Sequence, residues 1–202
     1  MDFLHLLDPL EIIKTLGILG IFFIIFAESG LFFGFFLPGD SLLFTAGFLA
    51  SQGFLNINLL VWGSFFFAIL GDSVGYWFGK KVGPKIFCKE DSLFFHKNHI
   101  IRAQNFYNKY GNKTIFLARF VPIIRTFAPI VAGVGQMRYK NFIFYNILGG
   151  FTWSFGITYL GFSLGNIIPD VDKYFLPIIL IIIFISFLPV FIELFKAKKI
   201  AK

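Results

Sequence analysis

The sequence predicts an all-α integral membrane protein organised as an inverted repeat. A re-entrant helical hairpin followed by a transmembrane helix occurs twice, and a further transmembrane helix closes the chain. Three observations lead there. The 202 residues are 57% hydrophobic and only 14% charged, with a mean hydropathy of +0.78, against about 25% charged in a soluble domain. Two apolar stretches are each interrupted by proline and glycine and carry charges of opposite sign. Short motifs in the first half also return in the second.

Residues 1–14 set Asp2, Asp8 and Glu11 among apolar residues, the pattern of a short interfacial helix. From 15 to 50 the chain is almost wholly apolar, interrupted by Glu28-Ser29-Gly30 and Pro38-Gly39-Asp40. It is too long for one span of about 20 residues and, with its breaks, too irregular for two. It reads as a re-entrant hairpin; an ordinary span at 15–37 followed by a half-helix is the competing reading. Residues 59–79 form a transmembrane helix with Asp72 inside it. Gly71, Gly75, Gly79 and Gly83 are spaced for close helix contact.

Residues 80–113 hold eight Lys or Arg against Glu90 and Asp91, with Ile100, Ala103, Phe106, Tyr107 and Tyr110 at helical spacing. This fits an amphipathic helix on an anionic membrane surface. The second hairpin is read at 114–137, transmembrane helices at 142–165 and 174–195, and a basic tail at 196–202.

The centre of the second hairpin is FLARFVPIIRTFAPIVAGVGQ, Phe116 to Gln136. An arginine at membrane depth costs about 2.5–3.5 kcal/mol on insertion scales, and proline removes a backbone donor. This stretch carries Arg119 and Arg125, Pro122 and Pro129, then Ala132, Gly133 and Gly135. Broken helix and buried charge occur together where backbone at membrane depth lines a protein cavity. In this reading Pro38, Gly39, Pro122, Pro129 and Gly133 shape the two hairpins.

Orientation is set by the basic residues. The 80–113 segment holds eight of the 18, and the tail four, Lys196, Lys198, Lys199 and Lys202; both therefore belong in the cytoplasm. The 166–173 loop, with Asp170 and Asp172, is then external, and the two hairpins enter from opposite faces. Tyr76-x-x-Gly79-x-x-x-Gly83 is echoed by Tyr159-x-Gly161-x-x-x-Gly165, and Phe36-Leu-Pro38 by Phe120-Val-Pro122. Inverted repeats with discontinuous helices are the recurrent plan of secondary transporters.

Four charges at depth, if separate, would cost on the order of 10–14 kcal/mol, so they must meet or be hydrated. Glu28 and Asp40 against Arg119 and Arg125 make a neutral set. Arginine offers a planar fork suited to phosphate oxygens, and half-helix N-termini add backbone donors. A proton on a carboxylate would free an arginine for an anionic head group. The bland reading is that the arginines only neutralise Glu28 and Asp40, and that Asp72 is a satisfied interhelical contact.

The function classes left open are a proton-linked transporter of a phosphorylated lipid, a proton-coupled exporter of small cations or drugs, and a non-catalytic scaffold. The expected partners are an anionic lipid head group, protons and membrane lipids. Oligomeric state is open, a homo-oligomer included. The net charge of +7 lies beside apolar segments, where it acts as a topology signal, so nucleic acid is not an expected partner. No enzyme, cofactor or metal motif is found, and His96 and His99 lack a third ligand nearby. The lone Cys88 excludes an internal disulfide. The N-terminus lacks a basic n-region and a cleavage site, so no signal peptide is read. Asn112-Lys-Thr114 fits a glycosylation sequon but falls on the cytoplasmic side.

Glu28, Pro38-Gly39-Asp40, Gly47, Gly71-Asp72 with Tyr76 and Gly79, Arg119-Phe120-x-Pro122-x-x-Arg125, Ala132-Gly133, and Trp153 with Gly161 together resemble the DedA family. This is the bacterial branch of the SNARE-associated Golgi protein (VTT domain) group. The resemblance covers residues 15–165. It implies a polytopic inner-membrane protein with two opposed re-entrant hairpins, linked to proton-motive-force-dependent envelope maintenance. It also implies movement of lipids across the bilayer, with undecaprenyl phosphate or a phospholipid as substrate. The family's essential acidic pair falls on Glu28 and Asp40 and its basic pair on Arg119 and Arg125. With Asp72, the two acids are the candidates for proton coupling, and the two arginines for substrate binding.

Overall fold

A computed structural model describes residues 9–31, 34, 37–87, 111 and 113–167. The amphipathic face expected within 80–113 lies mostly outside these residues, as do the 174–195 span and the basic tail. Among the described residues there is no strand. Six helices occur there in order: α1 (Pro9–Gly30), α2 (Gly39–Ser51), α3 (Ile57–Phe87), α4 (Lys113–Ala118), α5 (Pro122–Val134) and α6 (Tyr139–Ile167).

Two length classes appear. Ile57–Val82 of α3 and Tyr139–Ile167 of α6 have 26 and 29 apolar-rich residues. At 1.5 Å per residue they reach about 39 and 43 Å, more than the ~30 Å hydrocarbon core. The apolar runs Gly17–Gly30 and Ile124–Val134 reach only about 20 and 16 Å.

The breaks have local causes. Gly17 sits at φ +60 and kinks α1, a conformation glycine adopts without a Cβ penalty. The sequence predicts an interfacial helix at 1–14, separate from the first hairpin. Its described part, from Pro9, lies before the kink at Gly17 that sets it apart from the rest of α1. The helix also stops at Gly30 rather than running to 37 as an ordinary span would. Backbone bonds Leu31→Ala27, Gly34→Leu31 and Leu37→Gly34 then tighten the turn. A Cβ at Gly34 would overlap the carbonyls of Ala27 and Glu28, so the turn folds back over the end of α1. Pro38 caps α2, with Ser41 Oγ donating to its carbonyl at 3.0 Å.

Asn56 Oδ1 accepts from the Leu59 N–H at 3.0 Å, starting α3 with a preferred capping residue. The second break spans 119–121, where Val121 is extended and Pro122 opens α5; proline at the first helical position gives up only an orphan donor. The sequence points to Pro129 as a further break, and the structure corrects this: α5 runs through it. Pro129 still cannot donate to the carbonyl of Arg125, one turn earlier. α5 ends with Gln136 at φ 56 and Met137 N–H donating to the Ala132 carbonyl at 3.0 Å, a Schellman-type stop.

Two apolar clusters hold the helices. One joins Ile21, Ile25, Leu42, Leu43, Ala46, Leu60, Ala68 and Trp153, uniting α1, α2, α3 and α6. The other joins Tyr76, Ile115, Ala118, Ala128, Ala132, Met137 and Phe142, uniting α3, α4, α5 and α6. Between the long and short helices, backbone meets backbone. A Cβ on Gly161 would overlap the Phe44 carbonyl, and one on Gly47 the Thr158 carbonyl. In the other half, a Cβ on Gly79 would overlap the Ile130 carbonyl, and one on Gly133 the Tyr76 carbonyl. A shift of 86 residues carries Phe44 and Gly47 onto Ile130 and Gly133, and a shift of 82 carries Tyr76 and Gly79 onto Thr158 and Gly161. The α2–α6 and α5–α3 crossings thus use equivalent positions.

Candidate functional site

All five charged residues singled out in the sequence converge where the two breaks face each other. Arg125, in the first turn and a half of α5, is a fork between two acids. Its Nη1 donates to Asp40 Oδ1 at 2.6 Å and its Nη2 to Glu28 Oε1. Asp40 comes from the first turn of α2 and Glu28 from the last turn of α1, so this one side chain ties α1 and α2 to α5. Glu28 fits because residue 39 is glycine: a Cβ there would coincide with Glu28 Oε2. That oxygen is buried without a partner.

Arg119, in the 119–121 break, pairs differently from the sequence reading, which groups it with Arg125 opposite Glu28 and Asp40. Its Nη1 donates to Asp72 Oδ2 on α3 and to Asn146 Oδ1 on α6 at 2.7 Å. Asn146 Nδ2 in turn donates to the Ile69 carbonyl at 3.4 Å. Three carboxylates therefore share two guanidiniums, and the neutral set inferred from four charges becomes one with an acid in excess. Glu28 and Asp72 are each 4% exposed and Arg119 7%. Removing one partner from such a buried pair leaves a bare charge, at a cost of about 3–5 kcal/mol.

Trp153 joins the two arginines. Its indole Nε1–H donates to Asp40 Oδ1 at 2.7 Å. The guanidinium carbons of Arg125 and Arg119 lie 4.9 and 5.6 Å from its ring centroid, within cation–π range. Between these groups is a cavity of about 10 Å³ lined by Ser29, Asp72, Ile115, Arg119, Arg125, Ala128, Pro129 and Trp153. That is room for the centre of one water and too small for a phosphate.

The hairpin-shaping residues divide. Gly39 and Pro129 touch the site, Pro38 and Pro122 start the helices that carry its charges, and Gly133 serves the α3 contact away from the charges. Asn146 was not anticipated, although an amide inside an apolar span is a signal of the kind that marks polar sites in membranes. Trp153 entered only as part of a family pattern. Its place in the middle of a span, away from the interfacial belts where tryptophan collects, was a further signal. Among the described residues there is no group of three metal-ligating side chains.

Residues 37–163 match the family described as VTT domain. Protein DedA of Escherichia coli is 45% identical over 183 residues, covering 90% of this chain and 83% of the relative. An uncharacterized membrane protein of Mycobacterium tuberculosis is 43% identical over 196 residues, covering 93% and 86%. One of Synechocystis is 30% identical over 168 residues, covering 83% and 76%. No solved structure matches.

Proposed function

The chain belongs to the DedA family of VTT-domain membrane proteins, and from that premise we propose that it moves a phosphorylated lipid across the bacterial inner membrane, linked to the proton gradient and supporting envelope maintenance. It acts as a transporter rather than an enzyme. Undecaprenyl phosphate or a phospholipid is the substrate. The hairpins are re-entrant, residues 80–113 and the C-terminus are cytoplasmic, and the whole is an inverted repeat. The equivalence of the Gly47–Gly161 and Gly133–Gly79 crossings supports the repeat.

The observation that carries the reading is the fork of Arg125, saturated by Glu28 and Asp40 beside a second arginine and a small cavity. A proton on Glu28 removes one of the two charges holding that fork. The freed guanidinium can then take two oxygens of a head-group phosphate in the bidentate geometry it suits, with Arg119 alongside. Return of the phosphate to water lets the carboxylate recapture the arginine and release its proton. Site charge and substrate charge thus change together.

The test uses liposomes reconstituted with the full chain and labelled undecaprenyl phosphate or phosphatidylethanolamine, with and without a pH gradient. Lipid movement that rises with the gradient supports the reading, and none for either lipid rejects it. Glu28→Gln imitates the protonated acid; it is expected to fold and to move lipid without sensing the gradient. The excess carboxylate favours a second reading, export of a small cation. Cation flux without lipid movement in the same vesicles would establish that instead.

A further inference from the structure

Serine and threonine in a helix normally donate back to a carbonyl one turn earlier. Ser41, Ser51, Ser73 and Thr152 do so here. Thr45 of α2, Ser64 of α3, and Ser154 and Thr158 of α6 do not: each hydroxyl is fully buried and has no partner. All but Ser64 belong to the two helices that cross at Gly47 and Gly161. At the equivalent positions of the other crossing, Thr45 corresponds to apolar Val131, Thr158 to Tyr76, which donates to the Met137 carbonyl, and Ser154 to Asp72, which is ion-paired. Three of the four orphan hydroxyls among the described residues thus lie on the helices of one crossing and are absent from the equivalent positions of its counterpart.

The seam has a direction. At its inner end Asp40 meets Trp153 and Arg125, and through Arg125 it neighbours Glu28. At its outer end the exposed Gln52 donates to the Gly165 carbonyl at 3.1 Å, beside Ser51. Gln52, just past the end of α2, lies twelve positions after Asp40, about 18 Å along the axis. Thr45 stands between, and Ser154 and Thr158 are one turn apart on the facing helix, about 6 Å. Hydroxyls at that interval can be bridged by single waters, and an unmatched buried hydroxyl is the partner such a water needs.

We propose that the α2–α6 seam is a hydrated path, in which water threads past Thr158, Thr45 and Ser154 and connects Asp40 with the outer end at Gln52. Its ligand is water and the proton that water carries. The role as a proton route rests on the proton-linked reading above; the hydration does not.

Two measurements separate these. Single cysteines at Thr45, Ser154 and Thr158, in a Cys88→Ser background in lipid nanodiscs, are exposed to silver ion, which reacts with a thiol that water reaches. Ala46→Cys, equally buried but on the apolar side of α2, is the control. Reaction at least 10-fold faster at the three seam positions supports the path, and equal rates at all four overturn it. In liposomes, Thr45→Val with Thr158→Val removes two hydroxyls without changing shape. Thermal stability should hold or rise, while the gradient-dependent part of lipid movement falls at least 10-fold; Thr158→Ser, which keeps its hydroxyl, retains it. A stable double variant with an undiminished gradient response overturns the relay role. If the wild-type chain itself ignores the gradient, the functional reading fails, and the silver rates alone decide the path.

Discussion

The α2–α6 and α5–α3 crossings are built alike and furnished differently. Both bring glycine against a facing carbonyl at equivalent positions, so the backbones approach as closely as in small-residue membrane contacts. Around the first lie orphan hydroxyls; around the second the corresponding positions are apolar, ion-paired or satisfied. The charges divide just as unevenly. Glu28, Asp40 and Asp72 come from the first half of the chain, and Arg119 and Arg125 from the second. The shared backbone plan sets where the halves touch, and the unshared side chains set what chemistry occurs there.

The largest expected effect comes from breaking the charge division. Arg125→Gln leaves Glu28 and Asp40 without their cation and is expected to cost about 3–5 kcal/mol, read as a loss of thermal stability in detergent. Arg125→Lys keeps the charge but loses the two-armed fork, so the fold should survive while lipid movement falls at least tenfold. Adding Asp40→Asn to Arg125→Gln should restore stability but not transport. Restored transport would mean that the arginine is only a brace.

Trp153→Phe keeps a ring beneath the arginines and removes the donor to Asp40. A hydrogen bond to a charged group is worth about 1.5–3 kcal/mol, and thermal stability should drop accordingly. Gly47→Ala and Gly133→Ala then test the equivalence directly. Each forces a methyl against a backbone carbonyl, an overpacking cost of about 1–3 kcal/mol, and the two losses should match. A large loss at one and none at the other would end the comparison.

The smallest effects should carry opposite signs at equivalent positions. Tyr76→Phe gives up the bond to Met137 and should destabilise by about 0.5–1.5 kcal/mol. Thr158→Val removes a hydroxyl that has no partner and should be neutral or stabilising by up to about 1 kcal/mol. Equal losses at both would show that a protein group satisfies Thr158.

Much of this was legible in the sequence because proline and buried charge act locally. Pro38 and Pro122 mark where short helices start, since neither can supply an interior backbone donor. Arg119 and Arg125 stand out because an arginine in an apolar run needs a partner. Pro129 misled: α5 is held against α3 through Gly79 and Gly133, and that packing carries the helix through the missing hydrogen bond. Partner choice was legible only in part: Arg125 does meet Glu28 and Asp40, but Arg119 meets Asp72 instead. Asp72 and Arg119 are 47 residues apart, and no spacing rule says which acid meets which arginine. That one fork takes both Glu28 and Asp40 emerges only when α1, α2 and α5 converge in space.

Trp153 has a consequence for how the site can be watched. It is 4% exposed, whereas Trp62 and Trp77, the other two tryptophans, are 56% and 51% exposed on the outer surface. Replacing those two by phenylalanine leaves a single fluorophore flanked by both guanidiniums and bonded to a carboxylate. Its emission colour reports the field of the charges that pair at the site. The molecule carries its own optical voltmeter at the point where these charges meet, and no foreign label is needed to read it.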